Sequence, residues 1–186
     1  MKRGVKSLAF ATIFSLVPLA CASAFDLTSP DVSADKPISS KFIYNSFGCS
    51  GENVSPQLVW SDPPAGTKSF AVLVHDPDAP TGGAGFWHWI VTDIPVSARG
   101  FAQGAGAAGG KALPAGARQF ENDAGEAAWV GPCPPPGHGL HRYVFTVYAL
   151  GVEKIDLPAG AKASLVGFIV NKSAIGTATL TARFGR

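Results

Sequence analysis

The chain has 186 residues, of which 46% are hydrophobic and 15% charged, with a formal net charge of +2. That hydrophobic content is enough for one packed domain and excludes a chain too polar to fold. Lys2, Arg3 and Lys6 carry the positive excess; without them the charge is about −1, so it favours neither a nucleic-acid partner nor an anionic membrane surface.

Those three cations open a segment that reads as a secretory leader over residues 1–24. The apolar run from Leu8 to Leu19 is short for a bilayer span, and Ala22-Ser23-Ala24 forms an A-x-A cleavage site. The mature chain is expected to begin near Phe25, in the periplasm or outside the cell. A lipoprotein anchored through Cys21 is the weaker alternative, because Pro18 stands where such signals usually carry Leu. No later stretch is long and apolar enough to cross a membrane. With Cys21 removed, Cys49 and Cys133 remain, and two cysteines in an exported chain read as a disulfide. Two separate thiols are the alternative. A bridge would tie the Phe47-Gly48-Cys49 loop to a proline-rich loop. Neither cysteine lies in C-x-x-C, which argues against redox catalysis.

Along residues 25–186 the elements are mostly strands. Leu58 to Trp60, Phe70 to Val74, Trp87 to Ile94, Tyr143 to Leu150 and Thr177 to Phe184 are short, apolar and rich in β-branched or aromatic residues. Pro63-Pro64-Ala65-Gly66, Pro80-Thr81-Gly82-Gly83 and Pro158-Ala159-Gly160 mark turns. Ala102 to Gly110 reads as a flexible surface loop. From Ala161 to Ala174, Leu165, Phe168 and Ile169 recur at helical spacing and are expected to pack on a sheet. The pattern predicts a mainly-β, sandwich-like single domain with one or two short helices.

Two segments carry the candidate chemistry. The first is His75-Asp76-Pro77-Asp78-Ala79-Pro80, followed by Gly85-Phe86-Trp87-His88-Trp89. The second is Gly131-Pro132-Cys133-Pro134-Pro135-Pro136-Gly137-His138-Gly139-Leu140-His141-Arg142-Tyr143. Each couples a proline-stiffened loop to a histidine on an apolar strand, which suits a preorganised pocket for a polar ligand. Strand alternation puts Trp87 and Trp89 on one face, and His88 with Ile90 on the other. The same alternation turns His75 away from Asp76. His138, between glycines, is expected to be exposed. A lone strand histidine is more often a core residue than a ligand group; two of them converging with an acid favour a site.

These motifs resemble the phosphatidylethanolamine-binding protein family, in particular its bacterial Raf-kinase-inhibitor-like branch, from about Phe25 to Phe184. The resemblance implies a large antiparallel sheet packed on a smaller one, with a pocket at one end. It implies anion-pocket roles for Asp76, His88 and His141. Pro80, Pro134 and Pro135 would form an apolar rim, with Trp87 as an aromatic wall. Asp78 is assigned either to ligand contact or to a pair with Arg142 that joins the two motif loops. Mammalian-type members carry a C-terminal helix over the pocket, whereas this sequence ends soon after its last strand, as in the bacterial branch.

Other chemistries fit less well. His138-x-x-His141 lacks a third metal ligand at a recognised spacing, so no metal is assigned. Gly104 to Lys111 departs from a phosphate loop at Ala105 and Ala112. No Gly-x-Ser-x-Gly elbow is present, and no nucleophile accompanies Asp76 and the histidines except Cys133. The expectation is an exported, non-catalytic binding protein without a cofactor. Its ligand would be a small anion or zwitterion such as phosphate or phosphoethanolamine, with phosphate at the histidines and ammonium near the acid. Acidification from about pH 8 to 6 would then strengthen binding through histidine protonation. The alternative is a periplasmic protease or kinase inhibitor acting through the surface around the pocket. A homodimer is compatible with either reading.

Overall fold

A computed structural model describes residues 24–158 and 160–186; the leader segment before Ala24 lies outside them. Among the described residues the strands are β1 (Asp26–Thr28), β2 (Leu58–Ser61), β3 (Ser69–Asp76), β4 (Phe86–Pro95), β5 (Gly100–Phe101), β6 (Arg118–Gln119), β7 (His141–Leu150) and β8 (Ala174–Phe184), with one α-helix, α1 (Ala163–Ser173), and a short 3-10 turn at Ser40–Phe42. They form a three-stranded sheet in the order β1-β2-β5 and a five-stranded sheet in the order β6-β4-β3-β7-β8, antiparallel throughout.

β3 lies at the centre of the larger sheet, and both its faces are covered. Phe70, Val72 and Val74 join Trp60, Trp89, Tyr143 and Phe145 in the core between the sheets. Ala71 and Leu73 join Ile90, Val166 and Val170 beneath α1. This two-sided burial explains why the segment reads as a continuous apolar run and not as an alternating one. The short strands β1, β5 and β6 escape sequence reading because two or three residues carry no measurable period.

Two expectations are corrected. The buried face of α1 is Ala163, Val166, Gly167 and Val170, while Phe168 is 66% exposed and Leu165 38%. The cause is close approach: a Cβ on Gly167 would lie 3.3 Å from the Trp87 ring, so the helix seats on its small residues. The Ala/Gly stretch is not wholly a surface loop. Ala105 is buried, the Gly106 amide donates to Ser55 Oγ at 2.8 Å, and a Cβ on Gly106 would lie within 3.0 Å of Trp129, Ser55 and Trp89. Small residues let this backbone pass between two tryptophans.

Cys49 and Cys133 are paired as a disulfide in the structure, with Cα atoms 6.0 Å apart. The closed loop spans 84 residues of sequence, for which chain entropy sets a contribution of roughly 4 kcal/mol at most. Replacing both cysteines by serine should therefore lower the urea midpoint of oxidised protein. Coincident unfolding curves for the two proteins would show that the bridge contributes nothing.

Candidate functional site

β3, β4 and β7 bring their polar residues to one end of the sandwich. Asp76 closes β3 and is buried. Its Oδ1 accepts the Asp78 amide at 2.8 Å, an Asx turn that shapes the Pro77–Pro80 loop, and its Oδ2 lies 2.7 Å from His141 Nδ1. His141, the first residue of β7, is fully enclosed. Its second nitrogen, Nε2, lies 2.7 Å from Nδ1 of His138. Asp76, His141 and His138 thus form a hydrogen-bonded chain from the core to the surface. Sequence reading leaves His138 out, because nothing in a glycine-flanked loop indicates that it folds back on His141.

His88 reaches the site through an irregularity in β4. Val74 pairs with Trp89 and His75 with Trp87, so His88 is an extra residue without a partner across the ladder. Such a bulge breaks strict alternation and re-aims the side chains around it. The expected face assignment is corrected accordingly. Trp89 enters the core between the sheets, whereas Trp87 packs beneath α1 and against His75, their rings 4.3 Å apart. Trp87 therefore does not line the pocket, and Phe86 takes the wall position beside His88.

The His88 ring is held by the loop that precedes the proline segment. Its Nδ1 lies 2.7 Å from the Val130 carbonyl, and that carbonyl can only accept, so Nδ1 carries the proton. Asn122 fixes this loop: its amide donates to the His88 and Ala128 carbonyls, and its side-chain oxygen accepts from the Ala124 and Glu126 amides. Burial drives the His88 pKa down to about 4, against the Val130 carbonyl and Asp76, which favour the charged ring. His88 is consequently a neutral acceptor at Nε2, and it does not protonate between pH 8 and 6. For His88 this corrects the expectation of a donor to phosphate that gains charge in that range, and both ring nitrogens of His141 are engaged by Asp76 and His138.

A cavity of about 140 Å³ opens between these groups. Asp76, His88, His141 and Tyr143 are polar residues of its wall, with Pro80, Pro134, Pro135, Phe86, Tyr44 and Phe47 around them. Among the described residues, no protein atom bonds to His88 Nε2 or to the Tyr143 hydroxyl, and both are buried. Burial, followed by the charges of Asp76 and Asp78, pushes the Tyr143 phenol pKa up, which keeps it a hydroxyl donor. Tyr143 lies two residues beyond His141, so the strand period could have identified it. Thr92 Oγ1 is likewise buried without a partner among the described residues, and Thr92 does not line this cavity.

Asp78 is not in the cavity wall. It accepts from Arg142 Nε at 2.9 Å and Nη2 at 2.7 Å, and from the Arg142 amide at 2.8 Å. This bidentate clamp joins the two motif loops. Arg142 holds the Asp78 pKa down to about 2. A depressed carboxyl pKa stabilises the fold above the unfolded value, and that contribution is lost as pH falls from about 4 through about 2. Asp78→Asn should remove this part of the acid dependence, as read from thermal melts across that window. An unchanged pH profile would show that the clamp is solvent-screened to no effect.

Comparison with known proteins agrees with this architecture. The family model for Phosphatidylethanolamine-binding protein matches residues 28–185. The UPF0098 protein YbcL of Escherichia coli is 42% identical over 178 residues, covering 95% of this chain and 97% of the relative. The UPF0098 protein YbhB of the same organism is 44% identical over 158 residues, with 85% and 98% covered. The crystal structure of E. coli YbcL, described as a member of the mammalian PEBP family, superposes with a TM-score of 0.85 at 43% identity, over 88% of this chain and 99% of that one. This chain belongs to the phosphatidylethanolamine-binding protein family.

Proposed function

We propose that this protein is an exported, non-catalytic binding protein whose pocket takes a small oxyanion or a phosphoethanolamine-type head group. One observation carries the reading: among the described residues, two buried polar atoms, His88 Nε2 and Tyr143 Oη, belong to side chains that line a cavity and have no protein partner. A buried polar atom left unsatisfied costs about 1–3 kcal/mol, and a ligand that bonds both would recover it. The proline loops on either side, one clamped by Asp78–Arg142 and the other held at Pro134 by Arg186 Nε, keep the wall in place without a ligand.

The binding class is favoured over catalysis by the partners of the acid–imidazole pair. His141 is engaged by Asp76 and His138, and Cys133 is bridged to Cys49. Neither arrangement offers a nucleophile beside a base. Interaction through the pocket mouth, as in an inhibitor, is the second reading. It is supported by Phe47, which lines the cavity yet is 64% exposed. Native mass spectrometry of protein purified from its own compartment separates the two: a retained small phosphorylated molecule supports the binding class, and a retained protein supports the inhibitor.

Tyr143→Phe should weaken phosphoethanolamine binding about ten- to a hundredfold in calorimetry, the value of one hydrogen bond to a charged group. His88→Ala should weaken it as well. Unchanged affinity in both folded variants would place the ligand elsewhere. Export by ordinary cleavage predicts an intact mass beginning at Phe25; a diacylated chain beginning at Cys21 would contradict it. The lipidated alternative draws support from LppC of Mycobacterium tuberculosis, 37% identical over 173 residues, covering 93% of this chain and 78% of the relative, whose name marks it as a candidate lipoprotein.

A further inference from the structure

Resting on the binding reading above, the hydrogen-bond pattern narrows the ligand to a definite chemical form. We propose that the pocket binds a phosphomonoester or inorganic phosphate together with one proton, held between a ligand oxygen and His88 Nε2, while Tyr143 Oη donates to a second oxygen.

The Val130 carbonyl takes the only proton that a neutral His88 ring carries. The nitrogen facing the cavity is therefore a lone pair. A phosphate dianion offers lone pairs alone, so it would oppose Nε2 without bonding to it. One proton resolves this, whether the ligand brings it as the monoanion or the ring captures it on binding. Both routes give a complex with one more proton than the free protein plus the dianion, and linkage makes them equivalent for affinity.

The groups around His88 agree. From β3, Asp76 favours a proton there while His75, on the opposite face, disfavours it; Asp123 from the loop beyond β6 favours it. From β7, the Tyr143 ring lies 5.1 Å from the His88 ring and supplies a hydroxyl, and His141 is turned to Asp76 and His138. Phe86 from β4 and Val130 from the preceding loop bring no charge. Asp76 accepts two protein donors already, and its negative charge repels a dianion more than a monoanion. A phosphodiester that carries no ammonium or other donor has no proton to contribute near neutral pH, so the site discriminates against it.

Calorimetry of the mature, oxidised protein with inorganic phosphate tests this, using buffers that differ in ionisation enthalpy. Inorganic phosphate carries no ammonium that could substitute as the donor to Nε2. At about pH 8.5, well above the second phosphate ionisation, about one proton should be taken up per phosphate bound, and affinity should fall about tenfold per pH unit. Uptake should vanish toward about pH 5, where the free ligand already carries the proton. Dimethyl phosphate should bind at least about tenfold more weakly. His88→Asn, which keeps a donor for the Val130 carbonyl, should abolish the uptake; Tyr143→Phe should weaken binding and retain it. Phosphate binding without proton uptake, or equal affinity for dimethyl phosphate, overturns the inference while leaving the binding reading intact. No binding of phosphate or phosphoethanolamine at any pH overturns both.

Discussion

The extra residue that β4 accommodates at His88 is the constraint on which the site depends. Without it, strict alternation would send neighbouring side chains to opposite faces in a fixed order. With it, Trp89 fills the core between the sheets, Trp87 supports the helix, and His88 turns toward the pocket. The bulge alone does not fix the ring. The Val130 carbonyl does so, and Asn122 holds the loop that presents it. A local break in strand pairing thereby becomes a defined proton position on one imidazole.

The second organising feature is the chain Asp76–His141–His138, with Asp78–Arg142 beside it. Asp76 and Asp78 are two residues apart yet have different tasks. The buried carboxylate orients His141, and the half-exposed one clamps Arg142. Each acid joins the first motif loop to the start of β7, so the two distant segments are held together by charge-assisted bonds at adjacent points. The disulfide adds a covalent tie from the Phe47–Cys49 loop to the proline loop.

Much of this was legible in the sequence. The apolar runs locate β3, β4, β7 and β8 to within a few residues, and the two motifs identify the acid and the histidines that meet at the cavity. What was not legible has physical causes. Face assignment around Trp87 failed because a bulge leaves no mark in composition. The helix face was misjudged because Leu165 and Phe168 outweigh Gly167 on any hydrophobicity scale, although Gly167 permits the contact with Trp87. The donor or acceptor character of His88 depends on a carbonyl 42 residues away, and no local pattern encodes it.

Everything at the pocket turns on His88 being a neutral imidazole with its proton on Nδ1 and its lone pair at Nε2. Nitrogen-15 NMR of the histidine side chains measures this directly, because protonated and unprotonated ring nitrogens have distinct shifts. The expected result is the Nδ1–H tautomer across about pH 8 to 6, with titration only near pH 4, and a change at Nε2 when inorganic phosphate is added. An Nε2–H tautomer, or an imidazolium already formed at about pH 6 without ligand, would contradict it.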